Sequence, residues 1–163
     1  MSTQVPVGYA FAMASGRLTD VELRAWQALL HAHHDIVQAL DRELREAHRV
    51  TFAEYDVLLR LGRAPDRALR MSDLADRVLL SPSGVTRLVD RLTAKGLVER
   101  RTDPGDARVA LASLTTEGSR LLRRAARTHL RGIREHFTSR LTETQLRGVA
   151  AGLEQVAGPH APH

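Results

Sequence analysis

Residues 80–96 read LSPSGVTRLVDRLTAKG, a pattern that predicts one short helix with two different faces. Ser81 stands where an N-cap belongs, and Pro82 stands at the first helical position, where its missing N–H costs nothing. Gly96 is expected to end the helix, because glycine adopts the left-handed conformation of a C-terminal cap without strain. The expected apolar face consists of Val85, Leu88, Val89 and Leu92, and the polar face of Ser83, Thr86, Arg87, Asp90 and Arg91. A small polar first turn followed by guanidinium groups is typical of a helix that reads the DNA major groove.

The flanking residues predict a second short helix before this one and a β-hairpin after it. Met71–Val78 is amphipathic, with Ser72 as its expected N-cap, and two short helices joined by a tight turn form a helix-turn-helix. Downstream, the runs 97–102 and 109–115 are strand-like and are separated by turn-forming residues. The tip of this hairpin is basic, with Arg100, Arg101 and Arg108 around it. The sequence therefore predicts a winged helix-turn-helix.

Two longer stretches extend the pattern: LSPSGVTRLVDRLTAKGLVERRTDPGDAR at 80–108 and LTTEG at 114–118. In order, they match a recognition helix, a GLVxR strand entry, an Asp-x-Arg wing and an LTxxG entry to the next helix. Over residues from about 70 to 118, the chain resembles the multiple antibiotic resistance regulator (MarR) family of bacterial transcription factors. The resemblance implies double-stranded DNA as a partner. For ligand-responsive members it also implies a small-molecule pocket between the dimer helices and the winged helix.

Long helices are predicted at both ends of the chain. A helix over 19–47, opened by a capping box of Thr19 and Glu22, would be about 40 Å long, too long for one small domain to cover. It is therefore expected to pack against a second chain. A shorter helix is predicted to open with a capping box of Thr51 and Glu54 and to run to about Leu61. Helices are also predicted over 116–140 and up to residue 157, the last one capped by Thr142 and Gln145.

These elements predict a mainly α protein with a small β-wing. We expect a single domain over 1–163, in which a winged helix-turn-helix (51–115) is flanked by dimerisation helices (19–47 and 116–157). The expected assembly is a homodimer. Its expected function is that of a transcriptional repressor that a small ligand releases from DNA.

Composition narrows the class of protein. A net charge of +5 and a pI near 10.8 favour a polyanionic partner. Cysteine is absent, which excludes disulfides, thiolate metal sites and the thiol-oxidation switch of the peroxide-sensing branch of the resembled family. No run approaches 18 apolar residues, so we expect a cytoplasmic protein that does not associate with membranes.

The polar helix face and the wing supply the candidate DNA contacts. Ser81 and Ser83 lie at a helix N-terminus, which attracts phosphate, and are expected to fix the register on DNA. Thr86 and Arg87 are best placed for base edges, whereas Arg91 suits a base, a phosphate or an internal pair with Asp90 or an acid of the neighbouring helix. In the resembled family the wing Asp holds the Arg that enters the minor groove, and Asp106 and Arg108 occupy those positions. The full candidate set is Ser81, Pro82, Ser83, Gly84, Thr86, Arg87, Arg91, Arg101, Asp106 and Arg108.

Candidate effector-binding residues lie on and near the first helix. Trp26 and His33 are two turns apart on one face and offer an aromatic wall and a hydrogen-bonding group to an aromatic or phenolic ligand. Val37 and Tyr55 complete the candidate set. The alternative interpretation of this face is plain dimer core.

Other classes of function are less well supported by the sequence. His31, His33 and His34 have spacings that do not converge on one metal ion, and no cysteine completes a tetrahedral set, so no metal or other cofactor is expected. A metal-responsive regulator that uses histidines stays an alternative. We find no G-x-S-x-G, H-E-x-x-H or Walker motif and expect no enzyme activity. A winged-helix scaffold that binds a protein is a further alternative, but residues 83–91 lack the large exposed apolar groups it would need.

Overall fold

The computed structural model describes residues 18–78, 82–103 and 105–157 and is mainly helical with one small sheet. The elements in chain order are α1 (Asp20–His48), α2 (Phe52–Arg63), β1 (Ala68–Arg70), α3 (Met71–Val78), α4 (Pro82–Ala94), β2 (Val98–Asp103), β3 (Asp106–Leu114), α5 (Thr116–His136) and α6 (Glu143–Ala157). The chain divides into two compact units, the first up to Ile36 and the second from Val37 onward. Among the described helices, none has the length and apolar character needed to cross a membrane.

Helix starts follow the local signals in the sequence. The predicted capping boxes of Thr19 with Glu22, Thr51 with Glu54 and Thr142 with Gln145 are all present. In α5 the Thr115 side chain accepts a hydrogen bond from the Gly118 N–H at 2.9 Å. These bonds satisfy N–H groups that have no partner within their own helix.

The central helix α4 has the predicted ends and the predicted buried face. Gly96 has φ +68°, and the Gly96 N–H donates to the Thr93 carbonyl at 2.9 Å while the Leu97 N–H donates to the Leu92 carbonyl at 3.0 Å. This pair of bonds is a Schellman cap. The side chains of the apolar face are at most 2% exposed: Val85, Leu88, Val89 and Leu92. They join a core built with α2, α3 and the sheet, so α4 is held along its whole apolar face.

The sheet is antiparallel in the order β1-β3-β2, and it contains one strand that the sequence pattern does not predict. This strand is β1, which pairs with β3 through partners such as Leu69 and Ala112. Because α3 begins at Met71, directly after β1, Ser72 lies inside the helix and donates to Asp73 Oδ1 at 3.2 Å. The prediction of Ser72 as N-cap was wrong, since the paired strand carries the chain straight into the helix.

The first turn of α5 packs tightly on the end of the turn that follows α4. Thr115 Oγ1 donates to the Gly96 carbonyl at 2.8 Å, and the Thr115 N–H donates to the Leu97 carbonyl at 3.1 Å. A Cβ added at Gly118 would lie 2.1 Å from that same Leu97 oxygen. Glycine at position 118 is therefore required by a close approach of two backbones.

We predict that Gly118→Ala destabilises the protein by about 1 to 3 kcal/mol or more, because α5 or the Leu97 backbone must shift. The matched control is Gly148→Ala on α6, where nothing lies within 4 Å of an added Cβ. There, alanine should stabilise the helix by about 0.5 to 1 kcal/mol. Urea unfolding of both variants measures the difference, and equal stabilities would contradict the close approach.

Candidate nucleic-acid interface

The polar face of α4 is exposed opposite its buried face. Ser83, Thr86 and Arg87 are exposed, and Gly84 is partly exposed. Arg87 Nε donates to the Ser83 carbonyl at 3.3 Å, so this guanidinium lies back along its own helix towards the first turn. The small side chains of this turn and the guanidinium beside them are therefore presented together. We call α4 the recognition helix from here on.

The start of the recognition helix is described in part. Pro82 is its first residue, as predicted, whereas Ser81 lies outside the described residues. The predicted contact of Ser81 with a phosphate stays a prediction.

Arg91 is exposed and faces a buried acid of a neighbouring helix. Its Nε lies 3.6 Å from Glu54 Oε1, and the Glu54 side chain is 1% exposed. Lys95 Nζ lies 2.8 Å from the other carboxylate oxygen, Oε2. The sequence predicts Glu54 only as a capping residue. Its pair with Arg91 is the contact with an acid of a neighbouring helix that the sequence leaves open. Its contact with Lys95 was missed, because about 40 residues separate the two partners and no local pattern links them.

Two ion pairs join the wing, the β2–β3 hairpin, to neighbouring elements. Arg100 Nη2 contacts Asp90 Oδ1 of the recognition helix at 2.7 Å, and Arg70 Nη2 of β1 contacts Asp103 Oδ2 at 3.1 Å. Asp103 Oδ1 also accepts a hydrogen bond from the Gly105 N–H at 2.9 Å. That hydrogen bond, with the nearby charge of Arg70, lowers the pKa of Asp103. The wing is therefore joined to both the recognition helix and β1.

The candidate contacts near the tip of the wing are exposed. Asp106 Oδ1 accepts a hydrogen bond from the backbone N–H of Arg108 at 3.0 Å, and the Arg108 side chain is exposed. Arg101 pairs with Glu99 on the same strand. The structure thus places Asp106 and Arg108 together, but their contact runs through the backbone of Arg108.

The four candidate effector-binding residues are distributed over both units. In the first unit Trp26 is 50% exposed and His33 is exposed. In the second unit Val37 is partly buried and Tyr55 is 3% exposed. Tyr55 packs against His129 with ring centroids 4.7 Å apart, so its side chain belongs to the core between α2 and α5.

Two histidines of the second unit, His129 and His48, have structural partners. The ring of His129 packs on Phe52 and Tyr55, and burial lowers its pKa, which keeps it neutral. His48 Nε2 lies 2.8 Å from Thr128 Oγ1, and burial again lowers its pKa. These contacts explain why both histidines occur on the inner faces of their helices.

His136 Nε2 lies 2.6 Å from Glu43 Oε1, a link between α1 and α5 that the sequence does not reveal. A carboxylate oxygen of Glu135 lies within 4.8 Å of this pair, so the three side chains offer atoms that could bind a metal ion. His136 and Glu43 are already hydrogen-bonded to each other, and this bond accounts for their closeness.

Comparison with known proteins agrees with this architecture. The model of the MarR family matches residues 50–109. The HTH-type transcriptional regulator MhqR of Bacillus subtilis (strain 168) is 30% identical over 105 residues, which are 64% of this chain and 70% of that relative.

Two solved structures from Streptomyces coelicolor are similar over most of the chain. AbsC, a MarR family transcriptional regulator, is 29% identical with a TM-score of 0.82, covering 88% of this chain and 96% of its own. Sco3205, a MarR family transcriptional regulator solved in complex with DNA, is 32% identical with a TM-score of 0.83, covering 90% of this chain and 92% of its own.

Proposed function

The chain belongs to the MarR family of winged-helix transcriptional regulators, and from this premise we propose that it is a homodimeric repressor released from a pseudo-palindromic operator by a small ligand. Members of this family are DNA-binding proteins and not enzymes. The observation that carries the proposal is the division of the recognition helix into a buried apolar face and an exposed face with Thr86 and Arg87. A helix held in this way can enter the major groove without disturbing the core.

The homodimer is proposed from apolar surface at both ends of the chain. In the first unit Trp26, Leu29 and Leu30 are between 36% and 50% exposed. In α6, Leu153 and Val156 are 42% and 81% exposed. Large exposed apolar side chains in clusters mark interaction surfaces, and a second copy of the chain is the partner that the family resemblance implies.

We predict that the protein is a dimer at micromolar concentration and protects two half-sites about 10 bp apart, because recognition helices related by a two-fold axis meet successive major grooves about 34 to 36 Å apart. DNA selected from a random library by the wild-type protein supplies the operator. Analytical ultracentrifugation and hydroxyl-radical footprinting measure the two properties. A monomer, or a single asymmetric footprint, would rule out the proposed assembly.

Two arginine variants separate base reading from backbone attraction. Arg87→Ala should cost about 1 to 3 kcal/mol on the selected operator and relax base preference at one position per half-site, because it removes a bidentate contact to guanine. Arg108→Ala should weaken binding to all sequences and flatten the salt dependence by a slope of about one, since a wing arginine senses groove shape and charge. Binding titrations at several salt concentrations, on operator and random DNA, measure both effects. Equal losses on both kinds of DNA for both variants would refute the assignment of α4.

Ligand release is the part of the proposal that requires a second binding site. A ligand releases DNA only if it binds the non-binding arrangement more tightly than the binding one. We propose an aromatic or phenolic effector that uses His33. In a screen of such compounds for operator release, His33→Gln should keep dimerisation and operator affinity but lose the response to the active compound. A His33→Gln protein that still responds fully, or that unfolds early, would remove His33 from the sensor.

A further inference from the structure

We propose that Glu54 and Lys95 form a positioning pair that fixes the end of the recognition helix on the junction of α1 and α2, and that operator affinity depends on this pair. Neither residue is among the predicted DNA contacts. The inference rests on the proposed recognition of DNA by α4, and it adds residues that act on DNA binding through another element.

Glu54 is a buried carboxylate whose oxygens contact three groups in two segments of the chain. Oε2 accepts hydrogen bonds from the Thr51 N–H and from Lys95 Nζ, both at 2.8 Å. Oε1 faces Arg91 Nε at 3.6 Å. A carboxylate that is 1% exposed needs a cation beside it, because an unpaired buried charge is strongly destabilising. The start of α2 and the last turn of α4 are therefore held by one group.

Lys95 also contacts the end of α1. Its Nζ also donates to the Arg49 carbonyl at 3.0 Å, and Arg49 follows the last residue of α1 with φ +60°. One ammonium group thus joins the end of α1, the start of α2 and the end of α4. It belongs to the one lysine among 24 basic residues of the chain. A compact ammonium with three donors suits two converging acceptors, whereas the planar fork of arginine suits bidentate contacts.

The place of the pair explains why DNA binding should depend on it. Lys95 directly precedes the Gly96 cap, and Arg91, one turn earlier, is a predicted DNA contact. Side chains that contact bases must be held to within about 0.5 Å by the groups behind them. Loss of the pair would free the last turn of α4, and with it Arg91, to shift.

Arg100 of β2 provides a matched control, because it pairs with an acid of the same helix. It pairs with Asp90 at 2.7 Å, and its side chain is 39% exposed, the same fraction as that of Lys95. The difference lies in the acid, since Asp90 is 58% exposed and Glu54 is 1% exposed. Exposed pairs contribute little, so loss of Arg100 removes the same charge without depriving a buried carboxylate of its nearest cation.

The experiment compares Lys95→Met, Arg100→Met and the double variant Glu54→Gln/Lys95→Met. The probe is a fluorescein-labelled duplex selected from random-sequence DNA by the wild-type protein, with an unselected duplex as reference. We expect Lys95→Met to lower the affinity for the selected duplex at least about tenfold, and Arg100→Met less than about threefold. The ratio of affinities for selected and unselected DNA should fall for Lys95→Met but not for Arg100→Met.

The double variant separates positioning from stability. Glutamine at position 54 removes the buried charge that has lost its nearest cation but retains an oxygen for the Thr51 N–H, so thermal stability should return towards that of the wild type. Operator affinity should stay low, because the link to α4 is still missing. If Lys95→Met fails to fold, the operator affinity of the double variant is compared with that of the wild type instead.

Two results would overturn the inference: equal losses of affinity for Lys95→Met and Arg100→Met, or recovery of operator affinity together with stability in the double variant. A wild-type protein that selects no DNA sequence would contradict the proposed function, and the inference would fall with it. Normal selection by the wild type with unchanged variants would contradict the inference alone.

Discussion

The burial of one face of α4 is the constraint on which the interface depends. Val85, Leu88, Val89 and Leu92 are each at most 2% exposed, and each fully buried aliphatic side chain contributes about 1.5 to 3 kcal/mol. Because side chains three and four residues apart share a face, burying these four leaves Thr86 and Arg87 on the outside. The same packing that stabilises the domain therefore selects the groups that α4 exposes and that we propose to face DNA.

Features encoded within a few residues were predictable from the sequence. Gly96 and the residues before it define the end of α4, and the Thr51–Glu54 box defines the start of α2, because each signal involves neighbours in the chain. The polar face of α4 and the order of helices, hairpin and helix followed in the same way. The resemblance to a known family rested on these local motifs, and the family match to residues 50–109 overlaps most of the region that carries them.

Contacts between distant residues were not predictable. β1 is three residues long, and its partners in β3 lie more than 40 residues away, so neither alternation nor length marks it as a strand. Glu54 with Lys95 and Glu43 with His136 are likewise brought together by the packing of helices. The contact of Tyr55 of α2 with His129 of α5, whose ring centroids are 4.7 Å apart, also joins residues that are distant in the chain.

The contact at Gly118 makes the start of α5 a stiff joint. The backbone of α5 lies against the Leu97 carbonyl with no space for even a methyl group, so α5 cannot slide over the turn that follows the recognition helix. α5 has 21 residues and is about 31 Å long, so a tilt of about 5° at this joint displaces its far end by about 3 Å. Conversely, because the start of α5 lies beside this joint, a movement of about 3 Å at the far end of the helix would correspond to a much smaller displacement beside Gly96.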